Sequence, residues 1–232
     1  MKDGPATRAR RHDVRVGDTN ENPRGIGLGA LVAEDFRTNG SRLTSPGFWA
    51  LAVHRFGNWR MGVRSKPLRA PLTLVYDVAY RGVLNFWGID MPYNVKVGRR
   101  LRIDHHGALL MGAREIGDDV HVRHHATLGL RRLNDTVFPT IGNRVEIGPG
   151  ACITGNVHVG DDAIVCGNSV LLRDVAPGRV VAGAPAVPID LEAETRPAGP
   201  AASATAVAPG PAPGAASGSA TGSTSAASEP AK

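Results

Sequence analysis

Two periods of apolar residues divide the chain. Between residues 44 and 89 the spacing is helical. Ser45-Pro46 reads as an N-cap followed by proline at the first helical position. Phe48, Leu51, Ala52, Phe56, Trp59 and Val63 then recur every three or four residues. Pro67 and Pro71 are expected to break the chain. Leu72, Val75, Tyr76, Ala79, Tyr80, Val83 and Trp87 form a second stripe that stops at Gly88. Beyond it the period becomes six. From Ile141 the chain reads IGNRVE, IGPGAC, ITGNVH, VGDDAI, VCGNSV, LLRDVA. Each unit opens with Ile, Val or Leu and carries Val, Ala or Ser in fifth place. IGDDVH and VRHHAT repeat the rule from Ile116, and Val97, Ile103 and Leu109 open three more units, with one extra residue expected before Ile116.

A period of six with one aliphatic per unit predicts a short strand and a turn, three to a coil. Each aliphatic points inward, the small fifth residue fits the corner, and Gly or Asn tolerates positive φ there. Stacked coils pair as parallel strands. Residues 130–140 interrupt the period and must leave the coil as a loop, where function tends to sit.

The flanks lack both periods. Residues 1–43 read as a disordered arm. Residues 191–232 are rich in Ala, Pro, Gly and Ser and are expected to form a disordered tail, because they cannot bury enough apolar surface to offset ordering entropy. The expected organisation is therefore arm 1–43, helical region 44–89, β domain 90–190 and tail 191–232.

Of 232 residues, 5% are aromatic, 29 are Gly and 17 are Pro, a turn-rich β composition. Two cysteines, Cys152 and Cys166, exclude a disulfide scaffold. With no cleavable signal pattern, a cytoplasmic setting is expected. The formal charge is +6, concentrated in residues 47–100, where nine Lys/Arg face only Asp77 and Asp90. No nucleic-acid module accompanies this charge, so no nucleic-acid partner is expected. Aromatic residues on the helices beside Arg55, Arg60, Arg64, Lys66 and Arg69 suit peripheral contact with a membrane surface.

Asp104-His105-His106-Gly107 interrupts the aliphatic column, and Asp90 lies just before the coils. A neutral imidazole suits general-base work near pH 7, and a carboxylate can fix its tautomer. The histidines form no closed ligand set, so no metal is expected.

GIDMPYNVKVGRRLRIDHHGALLMG, HATLG, the six hexads and GNSVLLRDVAPGRVVAGAPA together resemble the bacterial serine O-acetyltransferase family of hexapeptide-repeat acyltransferases. The resemblance spans roughly residues 72–187. It implies a mainly β chain: a left-handed parallel β-helix preceded by two α-helices. It implies acetyl-CoA as co-substrate, His105 as general base, Asp90 as its orienting partner, and Asp104 with His106 at the acceptor. It puts coenzyme A near Gly129, Gly148, Ala163 and Ser169, with Arg173 or Arg179 for its phosphates. It implies a homotrimer or a dimer of trimers. The implied reaction makes O-acetylserine for cysteine biosynthesis. The alternative acceptor is a sugar or polysaccharide precursor, with Phe138 stacking on its ring. The chain departs from the family at Val137 and Phe138, where an Arg-His pair is expected, and at Pro92. It ends in Ala231-Lys232 rather than Ile, which argues against docking to cysteine synthase through this tail.

Overall fold

The computed structural model describes residues 19–190 apart from 106 and 133. Three helices come first: α1 (Leu28–Thr38), α2 (Pro46–Arg60) and α3 (Lys66–Trp87). Short strands then wind a coil of about five turns. The first face carries β1 (Ile89–Asp90), β4 (Leu109–Met111), β7 (Thr127–Gly129), β10 (Cys152–Thr154) and β13 (Val170–Leu171). The second carries β2 (Lys96–Val97), β5 (Glu115–Ile116), β8 (Thr140–Ile141) and β11 (His158–Val159). The third carries β3 (Arg102–Asp104), β6 (His121–Arg123), β9 (Glu146–Ile147), β12 (Ile164–Val165) and β14 (Val180–Gly183). All these pairings are parallel. Only β15 (Ala186–Ile189) turns back, antiparallel on β14, and closes the last coil.

The hexads work as the pattern requires. Val97, Ile116, Ile141 and Val159 stack inward from the second face, with Val122, Ile147 and Val165 from the third. Small fifth-position residues, among them Ala126, Ala151 and Ala163, are fully buried. The glycine that often follows the aliphatic has a packing reason. A Cβ on Gly117 would lie 2.5 Å from the Gly142 carbonyl of the next coil, closer than any side chain can approach.

Helix α1 corrects the reading of residues 1–43 as a disordered arm. Its part within the described residues is helical over 28–38. No side chain caps its start, and its first turn has no acid. Its buried face pairs Leu31 with Asp35, so an apolar period never develops. Asp35 instead meets Arg55 of α2, Nε to Oδ2 at 2.9 Å, with both side chains fully buried. Arg55 also donates to the carbonyls of Val97 at 2.7 Å and Gly98 at 2.5 Å. One guanidinium thus ties two helices to the first coil. Burial raises the Asp35 pKa, and Arg55 opposes that rise. Residues 1–18 and the tail from 191 lie outside the described residues.

Helices α2 and α3 follow the predicted positions. Ser45 Oγ accepts from Phe48 N, and Gly88 ends α3 with φ 66°. Pro71 is a correction. It sits inside α3, where it removes one backbone donor, while Pro67 falls at the tolerant first turn. The buried side of α2 is more polar than its stripe suggests, because His54, Arg55, Asn58 and Arg60 face inward. His54 is held neutral, its pKa lowered to about 3 by burial and by Arg55. Arg60 lies 4.4 Å from the ring centres of both Tyr76 and Tyr93, a cation–π arrangement. On α3 only Tyr76 and Val83 are buried, while Leu68, Leu74, Val75, Val78 and Phe86 are exposed. Among the described residues no helix is long and apolar enough to cross a membrane.

Candidate active site at an irregular corner

The candidate chemistry gathers where the third face of the first coil turns into the first face. Ile103 pairs with Val122, and Leu110 pairs with Thr127. Between these positions the first coil has two residues more than the second. The extra residue expected before Ile116 is therefore placed elsewhere: the first coil bulges at 105–108 and Met111, not Leu109, stacks on Leu128. In the lower coils one left-handed residue makes this turn: His125, Gly150 or Asn168. Ala108 is their counterpart. His105 (φ 56°) and Gly107 (φ 118°) add two further positive-φ residues. Left-handed residues also turn the regular corners, so what sets this corner apart is their number, three among the described residues where the lower coils use one.

The bulge lifts His105 out of the aliphatic column and leaves it exposed. Its ring meets His124 edge to face at 5.6 Å between centroids, and His124 meets His125 in the same way at 5.4 Å. His124 Nδ1 is buried and has no hydrogen-bond partner among the described residues. Asp90 lies on β1, outward on the first face and in register with Leu110. No hydrogen bond joins it to His105 among the described residues. Instead the Tyr80 hydroxyl, from α3, donates to Asp90 Oδ1. Burial, then the Asp90 carboxylate, push the Tyr80 pKa upward, so the phenol stays protonated as a donor. Asp104 accepts from Arg102 Nε at 2.9 Å and from His121 Nε2 at 2.6 Å. Burial alone would raise its pKa, but Arg102 and His121 outweigh burial and hold it below the usual carboxylate range. His106, expected at the acceptor, lies outside the described residues.

A cavity of about 390 Å³ opens beside this corner, lined by Ile103, Asp104 and His105 and by the α1–α2 loop from Asn39 to Gly47. The loop is fastened in place. Asn39 accepts from Ile103 N at 3.0 Å and donates to the carbonyls of Asp35 and Leu101 at 3.0 and 3.1 Å. A Cβ on Gly47 would lie 2.8 Å from the Ile103 carbonyl, so glycine lets α2 start directly against β3. Sequence reading missed this wall because it treated residues before 44 as an arm. It also missed Tyr80 and His121 as carboxylate partners. His121 could have been found from its place one coil after Arg102.

The other expected positions separate. Ala163 and Ser169 have 0% exposure, and their carbonyls accept from Glu146 N and Cys152 N in the coil ladder. As fifth-position residues they fill corners from inside, so at these two positions only coil backbone is offered to a ligand. Gly129 is also buried. Gly148 is half-buried and lines a shallow depression of about 180 Å³ on the third face with Arg123 and Cys166. The loop at 130–139 leaves the coil between first and second faces, a different corner from His105. Phe138 sits there against Gly112, not in the cavity beside His105. Among the described residues no group of three or more His, Cys, Asp or Glu side chains is arranged to hold a metal ion.

Comparison with known proteins agrees with this architecture. The family described as "Bacterial transferase hexapeptide (six repeats)" matches residues 138–173. Serine acetyltransferase of Mycobacterium tuberculosis is 32% identical over 159 residues, covering 67% of this chain and 65% of that protein. Serine acetyltransferase of Helicobacter pylori strain J99 is 42% identical over 101 residues, covering 43% of this chain and 59% of that protein. The chain thus spans less than two thirds of either curated relative's length. Soybean serine acetyltransferase apoenzyme superposes with a TM-score of 0.58 at 27% identity, covering 70% of this chain and 69% of that chain. The same soybean enzyme complexed with serine gives 0.57 at 26% identity, again covering 70% and 69%. The coil is a left-handed parallel β-helix, and the chain belongs to the hexapeptide-repeat serine O-acetyltransferase family.

Proposed function

We propose that this chain is a cytoplasmic, acetyl-CoA-dependent O-acetyltransferase that acetylates the hydroxyl of L-serine, with His105 as general base. One observation carries the reading: an exposed imidazole stands on a two-residue bulge at the edge of a 390 Å³ cavity. A related soybean structure of the same fold is a complex with serine. His105 takes the hydroxyl proton as the oxygen attacks the thioester carbonyl. The C–O bond forms, the tetrahedral oxyanion collapses, the C–S bond breaks, and the imidazolium returns its proton to the leaving thiolate. Asp90, held by Tyr80, is the partner that stabilises the imidazolium.

The assembly we propose is a homotrimer. The loop at 130–139 and His105 occupy different corners, so a site using both takes the loop from a neighbouring copy. The exposed apolar stripe on α3 adds surface for a second copy to cover.

The test is thiol release from acetyl-CoA on addition of L-serine. Wild-type protein is expected to release thiol, and His105→Ala to lose about 100- to 10,000-fold in rate. Absence of serine-dependent release by folded wild-type protein overturns the reading.

A further inference from the structure

The α1–α2 loop brings one cation to the cavity beside His105. Arg42 lines it, is exposed, and forms no salt bridge or side-chain hydrogen bond among the described residues. Of the other polar side chains of that wall, Thr44 is exposed and uncharged, while Asn39 and Ser45 are already engaged. The Asn39 side chain is spent on backbone groups of Asp35 in α1, of Leu101 and of Ile103 in β3. Ser45 caps α2. Across the cavity, the Asp104 carboxylate is shared between Arg102 and His121. The unmatched charge facing His105 is therefore positive.

We propose that Arg42 binds the carboxylate of the acceptor alcohol and makes this site selective for a hydroxy compound carrying an acid. The inference rests on the acetyltransferase reading and names the residue that selects its acceptor. A guanidinium presents parallel N–H donors that match a carboxylate in a two-point pair, which fixes orientation as well as position. With the carboxylate held at the loop and the imidazole fixed on the bulge, the acceptor hydroxyl is directed to His105. The clamp made by Asn39 matters here, because a loop bolted to β3 holds the cation at a set distance from the base. At positions 137 and 138 the chain has Val and Phe, which offer a carboxylate no cation. Arg42, on the wall of the cavity beside His105, supplies one.

Arg42 is a binding and positioning residue, so its loss separates KM from kcat. The experiment compares L-serine with L-serinamide, which keeps the hydroxyl and the ammonium but lacks the carboxylate. Equilibrium binding by calorimetry and acetyl transfer are measured for wild type, Arg42→Gln and Arg42→Lys. Wild type is expected to bind L-serine about 10- to 100-fold more tightly than L-serinamide. Arg42→Gln is expected to raise the L-serine KM by a similar factor, change kcat less than about threefold, and erase the preference for the acid. Arg42→Lys restores part of the preference, since it keeps the charge but not the two-point geometry. Because Arg42 is exposed on a loop, the variants keep the wild-type melting temperature.

Two results overturn the inference: wild type binding both ligands equally, or Arg42→Gln retaining the preference. If wild type prefers L-serine in binding but transfers no acetyl group, the carboxylate site stands and the acetyltransferase reading fails.

Discussion

Two corners of the first coil face opposite tasks. Where the second face turns into the third, the left-handed residues are Arg100, Asp119, Arg144 and Asp162, one directly below another. Their charges alternate, and pairs close at 2.5 Å (Arg100–Asp119) and 2.6 Å (Arg144–Asp162). Beside them Arg99 N donates to Asp118, Asp118 N to Asn143, and Asn143 N to Asp161, a ladder of side chains capping backbone. Each rung there repeats the one above. Where the third face turns into the first, the lower rungs are equally regular, but the first coil carries two additional residues and His105. Regularity fixes register, because each group finds the same partner one coil away. Chemistry needs a side chain that the repeat does not consume, and the bulge supplies it.

The largest expected effect comes from making the second corner like the first. Deleting residues 106 and 107 restores a six-residue turn. Acetyl transfer is expected to fall by about 100-fold or more, because the base loses its position, while circular dichroism and melting temperature stay near wild type. Retained activity would show that the bulge does not position His105.

A smaller effect, on stability, tests how the first coil is held at its regular corner. Arg55→Met leaves Asp35 buried without its partner and frees the Val97 and Gly98 carbonyls. The expected cost is about 3–5 kcal/mol, read from denaturant unfolding. A second change, Asp35→Leu, should recover much of it, since two apolar groups replace an unpaired charge.

The smallest effect is expected from the charge ladder. Arg144 is exposed and its pair with Asp162 is screened by solvent. Arg144→Gln should leave the melting temperature unchanged within error at physiological salt. A clear loss would mean that the ladder stabilises the coil rather than merely completing its corner.

Much of the fold was legible because each hexad states its own burial. Ile141, Ile147, Ile153, Val159 and Val165 occur every six residues and all are buried. Ser45-Pro46 and Gly88 marked helix ends by local chemistry. Helix α1 was hidden because its inward face is held by an ion pair with a residue twenty positions away.

The sequence by itself determined the coil, its aliphatic column and the residue types around Asp90 and His105, because a period of six is a local instruction repeated until it closes. Only the tertiary structure decided that the additional residues gather at 105–108, that Tyr80 and His121 hold the two carboxylates, and that Arg42 faces the same cavity as His105. Those relations join elements from separate parts of the chain. No local pattern encodes them, since they join α3 to β1, β6 to β3 and the α1–α2 loop to β3.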